Sequence, residues 1–248
     1  MKLVCLGSSS SGNCYLLESK SECLILEAGL PFKLVKQALT FDILKIVGVV
    51  ASHSHGDHFK YAEEYLKAGF PVYASEETHK SLSRHYENQM VVRVGYFYSI
   101  GGFKIYPFHC HHDVECFGYI IEHEDFGRLL FATDTAFIKP RFKKIGLNHI
   151  MIEANYSEAI INEWLSKGLI DQSRVNRTFK THMSIETCRE FVKANKTTNL
   201  DSVLLLHLSD GNSNAAEFQE TIQEVVGKHT TVRVADKGLS YSLDLFPW

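Results

Sequence analysis

Ala51-Ser52-His53-Ser54-His55-Gly56-Asp57-His58 is the stretch on which the reading of this chain turns. It follows the apolar run Ile46 to Val50 and precedes apolar residues at helical spacing, so it forms a strand-to-helix loop carrying three imidazoles and a carboxylate. Two residues of spacing put His53 and His55 on one side of an extended backbone, where both reach the same metal ion. Asp57 and His58, at the turn into the helix, face a second position. Gly56 gives the loop room to bend between the two pairs.

The rest of the chain is compatible with a protein built around such a loop. Of its 248 residues, 45% are hydrophobic and spread through the length, enough for one large core, and residues 1–248 read as a single domain without a linker or a repeat. The formal charge of -3 gives no global positive field, so contact with a polyanion has to come from a local patch. Two basic groupings qualify: Lys139, Arg141, Lys143 and Lys144, and Arg174, Arg177 and Lys180. Six cysteines, Cys5, Cys14, Cys23, Cys110, Cys116 and Cys188, contain no C-x-x-C pair and read as reduced core residues. The opening segment is too short in apolar residues for a secretory signal, and no stretch has the length to cross a bilayer. A cytoplasmic protein without membrane attachment is expected.

Short β-runs are expected at Lys2 to Leu6, Cys14 to Glu18, Cys23 to Glu27, Ile46 to Ser52, Pro71 to Ala74, Val91 to Val94, Phe103 to Phe108, Gly118 to Glu122 and Arg128 to Thr133. Further strands are expected at Asn148 to Glu153, Val203 to His207, Thr231 to Ala235 and Ser240 to Leu245. Helical spacing marks Phe32 to Leu39, Phe59 to Ala68, Glu77 to His85, Glu158 to Lys167, Ile185 to Ala194 and Ala215 to Val226. Ser184 is a candidate N-cap for the helix beginning at Ile185. Two β-rich halves with helices on one side of each predict an α/β, four-layer αββα sandwich, in which two mixed sheets pack face to face with helices outside.

The string H-x-H-x-D-H resembles the signature of the metallo-β-lactamase superfamily, which implies that fold and a dinuclear site of divalent metal ions. The resemblance asks for three more ligands. His112, in a run similar to the H-x5-G-Y run of ribonuclease Z and the cyclic phosphodiesterases, is taken for the first, with His109 and His111 as competitors. Asp134, at the end of Leu130-Phe-Ala-Thr-Asp, is implied as the bridging carboxylate, and His207, ending an apolar strand, as the last ligand. His53, His55, Asp57, His58, His112, Asp134 and His207 are thus the expected metal set. Its nitrogen and oxygen donors favour zinc and admit manganese or iron.

Metals of this kind generate a hydroxide nucleophile from a bridging water, which implies hydrolysis but not the bond cleaved. Met151-Ile-Glu-Ala-Asn-Tyr and Lys180-Thr-His-Met-Ser resemble a ribonuclease Z pair in which a glutamate orients a histidine. Carried over, Glu153 holds His182, and His182 stabilises the phosphoryl oxygen or protonates the leaving alkoxide. Asp57 is expected to act in catalysis as well as in metal binding. The opening Gly7-Ser-Ser-Ser-Ser-Gly-Asn13, with H-M-S and H-L-S, resembles the YycJ/WalJ group of the superfamily, which implies a DNA exonuclease-like phosphodiesterase. Ser9, Ser10, Asn13, Asn155 and Ser209 are the expected substrate contacts, and single-stranded or nicked DNA the expected partner.

Two departures qualify the match. Glu27 stands where the superfamily usually carries an aspartate that orients the histidine loop, which puts the local geometry in question. No inserted domain and no Gly-rich arm for holding tRNA is evident. The competing readings are a small-molecule phosphodiesterase or a lactone or thioester hydrolase on the same metals, and a non-catalytic binding module.

Overall fold

Alternation along single strands builds the layers. In β1 (Lys2–Gly7), Leu3 and Cys5 enter one apolar cluster while Val4 and Leu6 pack against another. In β10 (Gly127–Ala132), Leu129 and Phe131 face the first cluster, and Leu130 and Ala132 a third. A strand with period-two apolar residues on both faces needs cover on both sides. The computed structural model describes residues 1–245 and supplies that cover with two seven-stranded sheets and helices outside each.

The first sheet runs β14-β1-β2-β3-β4-β5-β6. Besides β1, its strands are β2 (Cys14–Glu18), β3 (Cys23–Leu26), β4 (Ile46–Val50), β5 (Val72–Ala74), β6 (Gln89–Val91) and β14 (Ser240–Ser242). The second runs β13-β12-β11-β10-β9-β8-β7. It contains β7 (Tyr98–Ile100), β8 (Phe103–His109), β9 (Phe117–His123), β10, β11 (His149–Glu153), β12 (Ser202–Leu206) and β13 (Thr231–Val234). Each sheet begins antiparallel and turns parallel: β3 to β6 are parallel neighbours in one, and β10 to β13 in the other. The sheets meet over Tyr15, Leu17, Phe103, Tyr119, Phe131 and Leu204, all fully buried. Outside the first sheet lie α1 (Phe32–Ala38), α2 (Gly56–Phe59), α3 (Ala62–Lys67) and α4 (Glu76–His79). On the side of the second lie α5 (Glu158–Ser166), α6 (Gln172–Thr181), α7 (Ile185–Asn195) and α8 (Ala215–Val226). Cys188 and Val192 of α7 and Phe218 and Ile222 of α8 complete the outer core there. This is the expected four-layer arrangement.

Several local expectations shift. The run expected at 91–94 begins two residues earlier, as β6 over Gln89–Val91, because the parallel register to β5 matches Tyr73 with Met90 and Ala74 with Val91. β7 and α6 were not anticipated. The helix expected from Phe59 to Ala68 is two short helices. The one expected to reach His85 stops at His79, where the Ser81 hydroxyl donates to the Thr78 carbonyl at 2.7 Å. Ser184 does cap α7, accepting from the Thr187 amide. The last strand ends at Ser242 rather than Leu245. Residues 246–248 of the expected domain span lie outside the described residues. All six cysteines are free, and five are buried. No helix among the described residues is long and apolar enough to cross a membrane.

Candidate metal centre

Parallel strands put their carboxyl ends along one rim, and both sheets contribute to it. β4 delivers the loop of His53 and His55, β10 delivers Asp134, β11 ends on Glu153, and β12 is followed by His207. Five non-glycine residues have positive φ among the described residues, and three of them sit within two residues of strand ends at this rim: Glu27 at 68°, Asp134 at 44° and His207 at 53°. Left-handed backbone is costly for such residues and is held only where the surroundings fix it. Here it turns each side chain inward from the strand end.

Asp134 is the common member of every cluster. One set of donor atoms, within 4.8 Å of one another, comes from His53, His55, His112 and Asp134. A second comes from Asp57, His58, Asp134 and His207, and a third from Asp134, Glu153, His182 and His207. Asp134 Oδ1 lies 3.2 Å from His58 Nε2 and 2.8 Å from His207 Nδ1, and Oδ2 lies 4.0 Å from His53 Nε2. All seven residues expected as ligands from the sequence therefore converge. Among the three competing histidines, the structure brings His112 to the cluster. His109 packs on Phe117, and His111 stacks on Phe137 with ring centroids 4.5 Å apart.

The partners of each ring fix its free nitrogen. His112 Nδ1 lies 2.8 Å from the Thr181 carbonyl, which only accepts, so Nδ1 carries the proton and Nε2 offers its lone pair. His53 Nδ1 meets the Ser52 hydroxyl at 2.8 Å, while its Nε2 is buried without a hydrogen-bond partner. Burial, reinforced by neighbouring His58, lowers the pKa of His53 well below the ordinary imidazole value, and burial lowers that of His112. Burial also opposes charge on His58 and His207, but Asp134 outweighs it: His58 is raised well above its ordinary value and His207 is pushed up to about 10. An orphaned imidazole nitrogen, a buried carboxylate shared by all clusters, and a donor set of nitrogen and oxygen alone fit divalent cations.

Glu27 reaches its place despite the longer side chain. Its Oε1 accepts from the Ser52 amide at 3.2 Å, and its Oε2 lies 3.6 Å from His58 Nδ1. Gly29 permits the adjoining loop to close, since a Cβ there would sit 1.8 Å from the Asp57 carbonyl oxygen.

Beside the clusters lies a cavity of about 390 Å³ bordered by His182 and His207. Ser9, Ser10, Asn155 and Ser209, four of the five expected substrate contacts, line it. Asn13 does not: it is fully buried, and its amide donates to the Ser9 and Asp57 carbonyls at 3.1 and 3.3 Å. His182 Nδ1 lies 2.6 Å from Glu153 Oε1, and Glu153 Oε2 accepts from the Thr135 and Met183 amides. Burial opposes ionisation of Glu153, yet His182 holds its pKa below the ordinary value; in turn Glu153 raises that of His182 against burial. Two neighbours were not singled out from the sequence. Asp113 lies 3.4 Å from His55 Nε2 and 3.2 Å from His112 Nε2, and its adjacency to His112 was the available signal. Ser8, one residue before the chosen serines, accepts from the His207 amide at 2.9 Å.

The family model described as the metallo-beta-lactamase superfamily matches residues 9–167. The chain is 28% identical over 166 residues to exodeoxyribonuclease YycJ of Bacillus anthracis, covering 61% of each protein, so it spans less than two thirds of that relative's length. It is 24% identical over 221 residues to exodeoxyribonuclease WalJ of Streptococcus pneumoniae, covering 84% of this chain and 81% of that protein. The metallo-beta-lactamase fold protein YhfI from Bacillus subtilis superposes with a TM-score of 0.74 at 16% identity over 97% of this chain and 99% of that one. With the family model matching well over half of its length and the same fold, the chain belongs to the metallo-beta-lactamase superfamily.

Proposed function

We propose that the chain is a dinuclear metal-dependent phosphodiesterase that trims DNA, single-stranded or nicked, in the cytoplasm, and that residues 1–248 act as one hydrolase domain. The observation that carries this reading is the His182–Glu153 pair at 2.6 Å beside the clusters. His53, His55, His112 and Asp134 would hold one ion, and Asp57, His58, Asp134 and His207 the other. Zinc is the ion proposed from the donor types, with manganese or iron as substitutes. Bound there, such ions supply activation of water and neutralisation of charge on a phosphoryl group.

The chain's own groups supply the rest. Glu153, fixed by two backbone amides, orients His182 through Nδ1, so the proton His182 can deliver is on Nε2. An imidazole whose pKa is raised by a carboxylate holds its proton to higher pH than a free one and is suited to protonate an expelled sugar alkoxide. Asn155 Nδ2 donates to the His207 carbonyl at 2.8 Å and holds that ligand in its left-handed turn. Ser9, Ser10 and Ser209 offer hydroxyls to phosphate oxygens across the cavity. The six free cysteines accord with a reducing compartment. The names of the two bacterial relatives support DNA as substrate.

The test combines metal analysis with hydrolysis of bis(p-nitrophenyl) phosphate and of a single-stranded oligodeoxynucleotide. Close to two bound ions and turnover of both substrates are expected. Turnover of lactones or thioesters alone would overturn the reading.

A further inference from the structure

Helix α6 has no counterpart in the apolar pattern of the sequence because its two faces do different work. Val175 is buried in a small cluster with Tyr156, Ile161 and Ile170, and Phe179, one turn on, stacks on Tyr156 with ring centroids 5.2 Å apart. That face anchors the helix. The other face carries Arg174, Arg177, Thr178 and Thr181, the i, i+3, i+4, i+7 spacing that makes one stripe, and all four line the cavity that His182 and His207 border. A helix whose polar stripe borders a cavity, with its two arginines exposed at the opening, serves whatever enters that cavity.

Neither guanidinium has a carboxylate oxygen within 4.0 Å among the described residues, the arginine ion pairs being those of Arg93, Arg128 and Arg189; the Asp171 carboxylate meets only the Arg174 backbone amide. Asp210, the one acidic side chain of the lining among the described residues, is exposed. At about 1.5 Å per residue, Arg177 and Arg174 stand about 6 and about 10 Å up the axis from Thr181, the neighbour of His182. Those spans carry the two guanidinium groups away from His182 in the direction in which neighbouring phosphates of a bound strand would continue.

The geometry points to Arg174 and Arg177 as a subsite for non-scissile phosphates of the substrate strand, so that the cavity selects polynucleotides over single phosphodiesters. The inference rests on the phosphodiesterase reading above. Arginine suits the task because its planar fork pairs with two phosphate oxygens at once.

The test compares the parent chain with the Arg174→Ala/Arg177→Ala double variant, both exposed positions on a capped helix. With metals chelated by EDTA, fluorescence anisotropy gives the Kd of a labelled oligothymidylate over a range of salt concentrations. The double variant is expected to bind at least ~10-fold more weakly, with a slope of log K against log salt shallower by about 1.4, the contribution of two phosphates on a single strand. With metals restored, the ratio of kcat/KM for the oligonucleotide to that for bis(p-nitrophenyl) phosphate is expected to fall by a similar factor through KM. Arg174→Lys/Arg177→Lys is expected to recover the salt slope. Equal Kd and equal slope in the parent and the alanine variant would overturn the assignment. Failure of the parent to hydrolyse either phosphodiester would instead remove the phosphodiesterase reading, a result the EDTA binding arm does not depend on.

Discussion

Glu153, wholly buried, receives His182 Nδ1 at 2.6 Å and closes its other oxygen with the amides of Thr135 and Met183. The same Oε1 lies 3.3 Å from His207 Nδ1, so this carboxylate braces two imidazoles, of which His182 is the nearer.

His182→Ala is therefore expected to lower kcat for a DNA strand by roughly 10²–10⁴, the usual worth of a placed proton donor, while metal content stays close to two. Glu153→Gln is expected to shift the basic limb of the kcat profile to lower pH, since Glu153 raises the His182 pKa. Full activity in His182→Ala would remove it as the acid.

Asp134 touches every cluster, so its loss should undo the centre rather than trim it. Asp134→Asn is expected to bind fewer than one ion per chain. Adding zinc at about 1,000 times its Kd contributes about 4 kcal/mol to the native state. For a chain of this size that raises the Tm of the parent by roughly 8 to 16 °C. No shift is expected in the variant. An equal shift in both would mean that the cations bind elsewhere.

Gly29 tests the loop packing under the second ion. The Gly29 amide donates to the Asn13 carbonyl at 3.0 Å, and the Asn13 amide to the Asp57 carbonyl at 2.8 Å, so a methyl group at Gly29 meets backbone that has nowhere to move. Gly29→Ala is expected to cost at least about 1–3 kcal/mol in urea unfolding and to lower metal content toward one. Parental stability with two ions would show that the loop yields.

His149 lies at the opposite end of β11 and gives a pH dependence free of the metal centre. Burial pushes its pKa down to about 4, against the carbonyls of Leu243 and Phe126. The Leu243 carbonyl fixes the proton on Nε2, at 3.1 Å, while the Ser202 hydroxyl meets Nδ1 at 2.8 Å. The unfolded chain takes up its proton near pH 6.5 and the folded chain only near 4, so stability is complete above 6.5 and drains away as pH falls between the two. The loss is about 3 kcal/mol for a shift of that size. His149→Gln is expected to shrink the difference in unfolding free energy between pH 7 and pH 4 by about that amount. An unchanged difference would place the acid lability in other groups.

The histidine loop at 53–58 was legible because its chemistry is local: residues two apart on an extended backbone share a side, and the helix start turns the next pair. The apolar strands were legible for the same reason, as in Val203-Leu-Leu-Leu, where Val203 and Leu205 serve one core and Leu204 the other. α6 was not legible, since Val175 is its one buried apolar residue, with Phe179 part-exposed over Tyr156, and most of the helix faces water or the cavity. Asp171, which accepts from the Arg174 amide as its N-cap, was the signal passed over.

Left to itself, the sequence determined that imidazoles and carboxylates would gather at strand ends, because residue spacing and apolar period fix local direction. Among His109, His111 and His112 the sequence favoured His112 only through a resemblance, and the tertiary structure supplies the physical reason that this ring approaches the cluster. All three lie within four residues, and sheet register with the positions of Phe117, Phe137 and the Thr181 carbonyl sent only His112 inward. It likewise decided that Glu27 could stand in for a shorter acid and that Asn13 would be buried as a brace. Those outcomes depend on backbone distances between segments far apart in the chain, which no local pattern encodes.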